Sequence, residues 1–231
     1  MPFGEIVAPT KQELFIERVL SMIFSEELKP GDVLPTEREL AAETKISKTV
    51  VHESIRELAR LGFLDVMSRK GVVVADYAKT GNLDTLIALT KYQGDKLDAQ
   101  TANSLLDLRF YVEAPLMKIL AEQHTSEDLE TLKNHYKIIE SVQDDRPELI
   151  RANIDYHHAI MVLSGNTVIP LIFEAFSSVT EHFWNAYIDL IGTDKLLESV
   201  KTINRLIEEG KGQELVDHYV WEMELFKKSQ Q

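Results

Sequence analysis

Apolar residues in the first part of the chain recur every three or four positions, which is the spacing of one face of an α-helix. This pattern predicts a helix over residues 10–25, with Thr10 as its capping residue and a Glu three positions later. The same signal at Thr36 predicts the start of a second helix. A third helix is predicted over Ser47–Leu61, ended by Gly62. Two helices joined by a short polar break, the second one amphipathic, are typical of a helix-turn-helix.

After the third helix the pattern changes to two short apolar runs, at residues 63–67 and 72–74. Apolar runs on either side of a Gly-containing loop favour a β-hairpin. The tip of this hairpin carries adjacent cations, Arg69 and Lys70, followed by Gly71, whose backbone can approach a phosphate closely. A helix-turn-helix followed by a small basic hairpin is a winged helix.

From about Thr80 onwards the apolar residues recur with the spacing of an α-helix throughout. This spacing predicts seven helices, over residues 82–92, 101–123, 126–143, 147–163, 167–190, 194–209 and 212–228, with the first of them ended at Gly94-Asp95. Helices joined by short loops favour an antiparallel bundle, which can hold a ligand between facing helices.

The predicted fold is therefore mainly α and has two domains. Residues 1–77 form a winged helix-turn-helix, with the helix-turn-helix at about 36–61 and the wing at about 63–76. Residues 78–231 form an all-α antiparallel helical bundle. The polar segment Asp76–Gly81 is the expected seam and hinge.

Charge separates the same two parts. The 231 residues include 25 Lys or Arg and 38 Asp or Glu, for a net charge of −13. Residues 1–75 carry ten basic and twelve acidic side chains, so most of the negative charge lies beyond them. A nearly neutral part and a strongly acidic part suggest different partners, and DNA binding needs only a local basic face.

Composition also excludes several classes of protein. The chain has no cysteine, so disulfides, thiolate nucleophiles and cysteine zinc sites are excluded. No apolar run approaches the roughly 18 residues that a membrane span needs, and the first ten residues lack a basic-then-apolar signal. We therefore expect a cytoplasmic protein without a membrane partner.

The N-terminal turn of the third helix holds the candidate DNA-reading residues Ser47, Lys48, Thr49 and His52. They are short hydrogen-bond donors and a cation at the end of a helix whose backbone N–H groups favour phosphate. In helix-turn-helix proteins this end contacts base edges in the major groove. The alternative is a solvated charged face without function, which the capped second helix and the basic wing make less favourable.

These motifs, in this order, resemble the winged-helix domain of GntR-family transcription regulators. The matching segments are Leu34–Ala41, Ser47–Leu58, Leu61–Leu64 and Arg69–Gly71. The resemblance covers about residues 10–77 and implies DNA contacts by Arg38, by the start of the recognition helix and by Gly71 at the wing tip. Lys48 stands where the family usually has Arg, and His52 where it often has Arg. Lys lacks the bidentate fork that matches guanine, so the operator sequence stays open.

The second part resembles the effector domain of the fatty-acid-regulator (FadR, or FCD) branch of that family. The matching segments are Gly81–Leu86, Leu106–Glu113, Asp155–Ile160 and Ser164–Asn166. The resemblance implies that a small organic acid or an acyl compound binds in the bundle, and that many such domains hold a divalent metal.

Four residues are the candidate effector site: Arg109, Glu113, Tyr156 and His157. Arg109 and Glu113 are four apart and share a helical face. Arg109 either binds the carboxylate of a ligand, to which its guanidinium is matched, or forms an ion pair without function. The aromatic residues nearby are interpreted either as core or as pocket lining; they are Tyr156, Phe173, Phe176, Phe183, Trp184 and Tyr187.

The metal set that the resemblance implies is incomplete. The family's Asp and three His fall on Asn153, His157, Val200 and Glu222, and valine cannot bind a metal. The candidate ligands are therefore His157, Asn153 and Glu222. A shifted site with His158, His182 or His218 is the alternative, so a divalent metal is possible but no cofactor is certain.

The function predicted from these features is a sequence-specific DNA-binding transcription regulator that is controlled by a small acid or acyl effector. A two-fold operator would require a homodimer. The alternative is a metal-dependent helical-bundle enzyme with an appended DNA-binding module. The chain shows no Gly-rich phosphate loop, nucleophile elbow or H-E-x-x-H motif, so we expect no enzyme. A scaffold that uses the acidic bundle would leave the basic wing unexplained.

Overall fold

The computed structural model describes residues 8–93 and 99–229, apart from the side chains of residues 177–179. The predicted break at Gly94-Asp95 lies outside the described residues. Two compact units, Met1–Tyr92 and Gln93–Gln231, make up the chain. The elements are α1 (Lys11–Phe24), α2 (Glu37–Thr44), α3 (Lys48–Arg60), β1 (Leu64–Met67), β2 (Gly71–Val74), α4 (Tyr77–Thr80), α5 (Leu83–Gln93), α6 (Ala99–Gln123), α7 (Ser126–Ser141), α8 (Arg146–Leu163), α9 (Ile169–Ala175), α10 (Ser177–Ile191), α11 (Thr193–Glu208) and α12 (Gly212–Ser229).

Side-chain caps fix where the first three helices begin. Thr10 accepts a hydrogen bond from the Glu13 backbone N–H while the Glu13 carboxylate accepts one from the Thr10 backbone, and Thr36 forms the same box with Glu39. The Ser47 hydroxyl accepts from the Val50 N–H at 3.3 Å. The three predicted helix starts are confirmed.

The core of the N-terminal unit lies between α1, α3 and the hairpin. α3 buries one face, and its other faces are largely exposed. The most deeply buried side chains of this core are Leu20, Val51, Ile55, Leu58, Phe63 and Leu64. This packing leaves the N-terminal turn of α3 in solvent, where a partner can reach it.

The wing is the predicted antiparallel hairpin, with Leu64 opposite Val74 and Met67 opposite Gly71. Gly71 has φ +84°, a left-handed conformation that glycine adopts without strain. The segment before α2 adds to this hairpin, because the Leu34 N–H donates to the Val72 carbonyl at 2.9 Å. The hydrophobic pattern did not predict this third segment.

The seam Asp76–Gly81 contains the short helix α4 and packs on the N-terminal unit. The Tyr77 ring lies 5.3 Å from the Phe63 ring, between centroids, and 6.2 Å from the Phe24 ring. Ala88 on α5 also belongs to the same core. Contacts therefore divide the chain at Tyr92, whereas composition placed the boundary at residue 77. The reason is that the apolar face of α5 packs against the N-terminal unit.

The C-terminal unit is the predicted helical bundle, built from α6 to α12. α6 packs mainly against α12, and α7 packs against α8 and α11. Within the described ranges, no helix combines the length and the apolar character that crossing a membrane requires.

The single helix predicted over residues 167–190 is wrong, because the chain breaks at Phe176 into α9 and α10. The Phe176 N–H bonds to the Phe173 carbonyl, three residues back, which tightens the last turn of α9. The Phe176 carbonyl accepts both the backbone N–H and the hydroxyl of Thr180, at 3.0 and 2.9 Å. The spacing of apolar residues alone does not predict such a break in a helix.

Candidate nucleic-acid interface and buried polar site

The N-terminal turn of α3 presents Ser47, Lys48 and Thr49 to solvent. Ser47 caps the helix with its oxygen, so its hydroxyl hydrogen remains available to an acceptor. Among the described residues of the N-terminal unit, the only Lys and Arg side chains in ion pairs are those of Arg60 and Lys79, and His52 contacts Glu37. Lys48 therefore carries an uncompensated charge at a helix end that favours anions.

His52 is already bonded within the protein. Its Nδ1 lies 2.7 Å from Oε1 of Glu37, which joins α3 to the first turn of α2. This contact orients the two helices of the helix-turn-helix, and it competes with the predicted role of His52 in reading bases. The neighbouring Arg38 is exposed and has no ion pair among the described residues.

The wing tip carries the second group of free cations. Arg69 and Lys70 are exposed in the turn between β1 and β2, and no ion pair involves them in the described part of the unit. Arg60, at the opposite end of α3 from Lys48, is instead bonded to Glu57 at 2.8 Å and Asp84 at 2.7 Å. The cations at the start of α3 and in the wing are thus unpaired among the described residues, whereas the cation at the end of α3 is neutralised by carboxylates.

The C-terminal unit contains a buried ion pair. Nε of Arg109 donates to Oε1 of Glu113 at 2.7 Å, and Nη2 donates to Oε2 at 3.3 Å. The Arg109 side chain is 11% exposed and that of Glu113 is 1% exposed. The Tyr219 hydroxyl also donates to Glu113. Burial and the Glu113 charge raise the pKa of Tyr219 well above its usual value, so Tyr219 keeps its proton.

Several buried polar atoms near this pair lack a hydrogen-bond partner in the described part of the chain. We call the residues that carry them the buried polar cluster: Arg109 (Nη1), Asn153 (Oδ1 and Nδ2), His157 (Nδ1) and Trp184 (Nε1). The His157 and Trp184 rings are 5.1 Å apart, and the Arg109 guanidinium is 5.9 Å from the Trp184 ring. A buried polar atom left without a partner costs about 1–3 kcal/mol. The cluster therefore offers unsatisfied buried donors and acceptors to a polar group.

Aromatic side chains enclose the guanidinium. Arg109 lies 5.6 Å from the Phe173 ring and 5.9 Å from the Phe226 ring. Beside it is a cavity of about 30 Å³, whose lining includes Arg109, Glu113, Phe173 and Phe176. All members of the aromatic series are buried in the core, and Phe173 and Phe176 also line this cavity.

Tyr156 differs from the other three predicted effector residues. It is fully buried, and its hydroxyl donates to Oδ1 of Asn204 on α11 at 2.8 Å. Its neighbour His157 is equally buried but leaves Nδ1 without a described partner. The structure brings together Arg109, Glu113 and His157, and it gives the Tyr156 hydroxyl a partner of its own.

Burial shifts the pKa values of two further groups in opposite directions. It lowers the pKa of His157 to about 4, with Glu113 opposing and Arg109 reinforcing the effect, so the imidazole is neutral. It raises the pKa of Glu222 to about 7, against the hydrogen bonds from Ser199 and Tyr187 and the charge of Arg109. Near neutral pH the His157 imidazole is therefore uncharged, and Glu222 is only partly ionised.

The metal interpretation of Asn153, His157 and Glu222 does not fit the residues present. No group of three or more His, Asp or Glu side chains in the described ranges is placed to hold a metal ion. Asn153 offers only a neutral amide, and Val200 is an apolar core residue. Glu222 accepts hydrogen bonds from Ser199 and Tyr187. The shifted set of His158, His182 and His218 fails the same test.

The two shifted groups give the unit a testable pH dependence. Between pH 4.5 and 7 native Glu222 keeps a proton that the unfolded chain releases, so its contribution to stability is lost as pH rises. Between pH 6.5 and 4 unfolded His157 gains a proton that the native state refuses, so its contribution is lost as pH falls. From pH 4.5 to 6.5 the two effects nearly cancel.

Glu222→Gln should remove the contribution of Glu222 to this pH dependence and leave that of His157. From pH 4.5 to 6.5 the free energy of unfolding of the variant should rise by roughly 2–3 kcal/mol more than that of the wild type. Urea unfolding followed by tryptophan fluorescence reports on this unit, since Trp184 and Trp221 are the only tryptophans of the chain. Parallel pH profiles for the two proteins would contradict the assignment.

The fold thus defines a class of protein: a winged-helix DNA-binding module followed by an all-α helical bundle. Residues 12–74 match the model of bacterial regulatory proteins of the gntR family, and residues 104–219 match the FCD domain. The chain belongs to the gntR family, in its FCD-containing, FadR-like branch. It is a DNA-binding transcription regulator and not an enzyme.

Similar proteins support this assignment. The fatty acid metabolism regulator protein of Proteus mirabilis is 24% identical over 204 residues, which are 87% of this chain and 82% of the relative. The galactonate operon transcriptional repressor of Escherichia coli is 27% identical over 150 residues, 65% of each chain. Lar, which controls expression of the Listeria monocytogenes agr system, has a solved structure with the same fold. The TM-score is 0.66 at 16% sequence identity, and the match covers 97% of this chain and 98% of Lar.

Proposed function

We propose that this regulator contacts its operator through one reading surface and that a small organic acid, bound at the buried polar cluster, controls the contact. The reading surface consists of Arg38, Ser47, Lys48, Thr49, His52, Arg69, Lys70 and Gly71. The observation that carries the proposal is the set of exposed cations at the start of α3 and at the wing tip that have no ion pair among the described residues.

Each part of the reading surface has its own role. Lys48 and the hydroxyls of Ser47 and Thr49 lie at the end of α3 that enters a major groove, where donors meet base edges. Arg69 and Lys70 neutralise phosphates, and Gly71 lets the backbone approach the duplex. His52 acts mainly by holding α2 and α3 together through Glu37.

Binding to a two-fold operator requires a homodimer. Two copies place their recognition helices about 34 Å apart, or a multiple of that distance, to match successive turns of one DNA face. An effector then changes affinity only if it prefers one arrangement of the two winged helices. Insertion of half a helical turn between the half-sites should abolish binding.

The buried polar cluster suits a carboxylate because it offers donors. Nη1 of Arg109 and the indole N–H of Trp184 have no described partner, and a carboxylate oxygen accepts from both kinds of group. The cavity of about 30 Å³ holds one water-sized group, so a larger ligand requires movement of α9. Two relatives are named for fatty acid and galactonate metabolism, and both compounds are carboxylic acids.

Thermal stabilisation by small carboxylates tests the effector site. Galactonate, lactate and octanoate are compared with their primary amides, in the wild type and in Arg109→Met with Glu113→Gln, which leaves no uncompensated buried charge. We expect at least one acid to raise the melting temperature in the wild type only, with a weaker effect of its amide and no effect of EDTA. Equal effects of acid and amide, or loss of the effect with EDTA, would contradict the proposal.

The wing contribution is tested through salt. Arg69→Ala should reduce the slope of log affinity against log salt concentration by about 0.9, the value for one phosphate contact. Lys79→Ala is the matched control, because Lys79 is an exposed cation of the same unit that is already paired with Asp76 at 2.6 Å. A slope for Arg69→Ala equal to that of the control would remove the wing from the interface.

A further inference from the structure

We propose that a groove between α10, α11 and α12 is a second ligand site, specific for an organic carboxylate with an apolar body. The groove has a volume of about 670 Å³, within the roughly 300–1,000 Å³ of small-molecule sites. We call it the lysine-rimmed groove, and the residues that define it are Lys195, Ser199, His218, Trp221, Leu225 and Lys228.

The spacing of these residues builds the groove from two helices. On α12, His218, Trp221, Leu225 and Lys228 follow one another at intervals of three or four and share a face. On α11, Lys195 and Ser199 are four apart and face the same space. The start of α11 and the end of α12 therefore each contribute a lysine to one groove.

The walls of the groove expose apolar surface that water solvates poorly. Trp221 is 54% exposed and Leu190 is 50% exposed. The Trp221 ring stacks on His218 with the centroids 5.8 Å apart. A preformed apolar wall of this kind binds the hydrocarbon part of a ligand at a low entropic cost.

The rim supplies charge for an anionic head group. Neither Lys195 nor Lys228 has an ion pair or hydrogen bond among the residues that the structure describes, whereas the adjacent Lys227 is bonded to Asp107 at 2.7 Å. Glu198 also lines the groove and offsets one of the two charges. A net cationic rim stands out in a chain of net charge −13, and its complement is a single carboxylate.

The floor of the groove is polar but unreactive. Ser199 donates its hydroxyl hydrogen to Glu222, and its oxygen lies 3.1 Å from Nε2 of His218. Because the serine proton is held by Glu222, and because Nε2 of His218 faces both Ser199 at 3.1 Å and Glu222 at 3.9 Å, the three groups do not have the serine–histidine–carboxylate order of a hydrolytic triad. The groove is therefore a binding site and not a catalytic one.

The chain provides a separate reporter for each site. Of its two tryptophans, Trp184 belongs to the buried polar cluster and Trp221 lines the groove. Full-length protein labelled with 5-fluorotryptophan should give two fluorine resonances, which Trp221→Phe assigns. Trp221 is exposed, so its replacement preserves the core.

The test is a titration of this labelled protein with decanoate, decan-1-ol and decyltrimethylammonium. We expect decanoate to shift the Trp221 resonance saturably and the alcohol and the ammonium compound to bind about tenfold more weakly or worse, because they lack the anion. Lys195→Gln with Lys228→Gln should weaken decanoate binding by about tenfold. The control, Lys133→Gln with Lys137→Gln on α7, should leave it unchanged.

Two results would overturn the proposal. The first is equal binding of decanol and decanoate, which would make the groove merely apolar. The second is a Trp221 resonance that shifts with protein concentration but not with decanoate. This result would mean that a second copy of the chain binds in the groove. Arg109→Met with Glu113→Gln, which leaves no uncompensated buried charge, should abolish ligand shifts at Trp184 and preserve those at Trp221, so failure of either site is seen separately.

Discussion

Replacing Glu113 with glutamine should destabilise the C-terminal unit by about 3–5 kcal/mol, the cost of leaving one member of a buried ion pair uncompensated. Arg109 would keep its charge in a site that is 11% exposed, between aromatic rings. The Tyr219 hydroxyl would also lose its anionic acceptor. Urea unfolding of the full chain, followed by tryptophan fluorescence, measures this loss in the unit that contains both tryptophans.

The matched control is Glu209→Gln. Arg205 and Glu209 form an ion pair of the same spacing, with Nη1 and Oε2 3.0 Å apart, but their side chains are 54% and 39% exposed. An exposed pair of this kind contributes about 0.5 kcal/mol or less. If the two variants lose similar stability, the Arg109–Glu113 pair is not the buried electrostatic centre of the bundle.

Lys48→Ala should weaken operator binding by about 1–3 kcal/mol, which is roughly fivefold to 150-fold in affinity. Lys48 is exposed and unpaired among the described residues, so its loss should remove the proposed DNA contact and leave folding intact. Fluorescence anisotropy with a duplex selected by this protein from a random library measures the effect. Wild-type affinity in this variant would contradict the assignment, and Lys79→Ala is the control for loss of an exposed charge.

Lys48→Arg separates affinity from base reading. An arginine at this position keeps the charge and adds the bidentate geometry that matches guanine. We expect the variant to bind with comparable strength but to select a different base at one position of each half-site. An unchanged selected sequence would mean that Lys48 contacts only phosphate.

The N-terminal unit was largely predictable because its signals are local. Each capping box lies within four residues, and the wing was visible as two apolar runs around a glycine. The bridge from Val33 to Val73 was not predictable, since one isolated pair has no periodic pattern. The packing of α5 on this unit was missed for a related reason. The apolar pattern of a helix predicts that one face is buried, but it does not predict which core that face packs against.

The buried polar cluster was predictable only in part. Arg109, Glu113 and His157 were found through spacing and resemblance. Tyr219 was missed because it lies 106 residues from Glu113, and no local spacing links the two. Asn153, His157 and Glu222, which the family register selected, are buried in the bundle, but a neutral amide and a hydrogen-bonded carboxyl do not complete the ligand set of the family there.

The central claim is that the start of α3 and the wing together lie against the duplex. Since the chain has no cysteine, Thr49→Cys and Ser68→Cys each provide one attachment point for an iron chelate that cleaves nearby DNA. Ser141→Cys, on α7 of the C-terminal unit, is the control. We predict cleavage within each operator half-site from the first two positions and only background cleavage from the third. Operator binding without cleavage from Thr49→Cys and Ser68→Cys would contradict the claim.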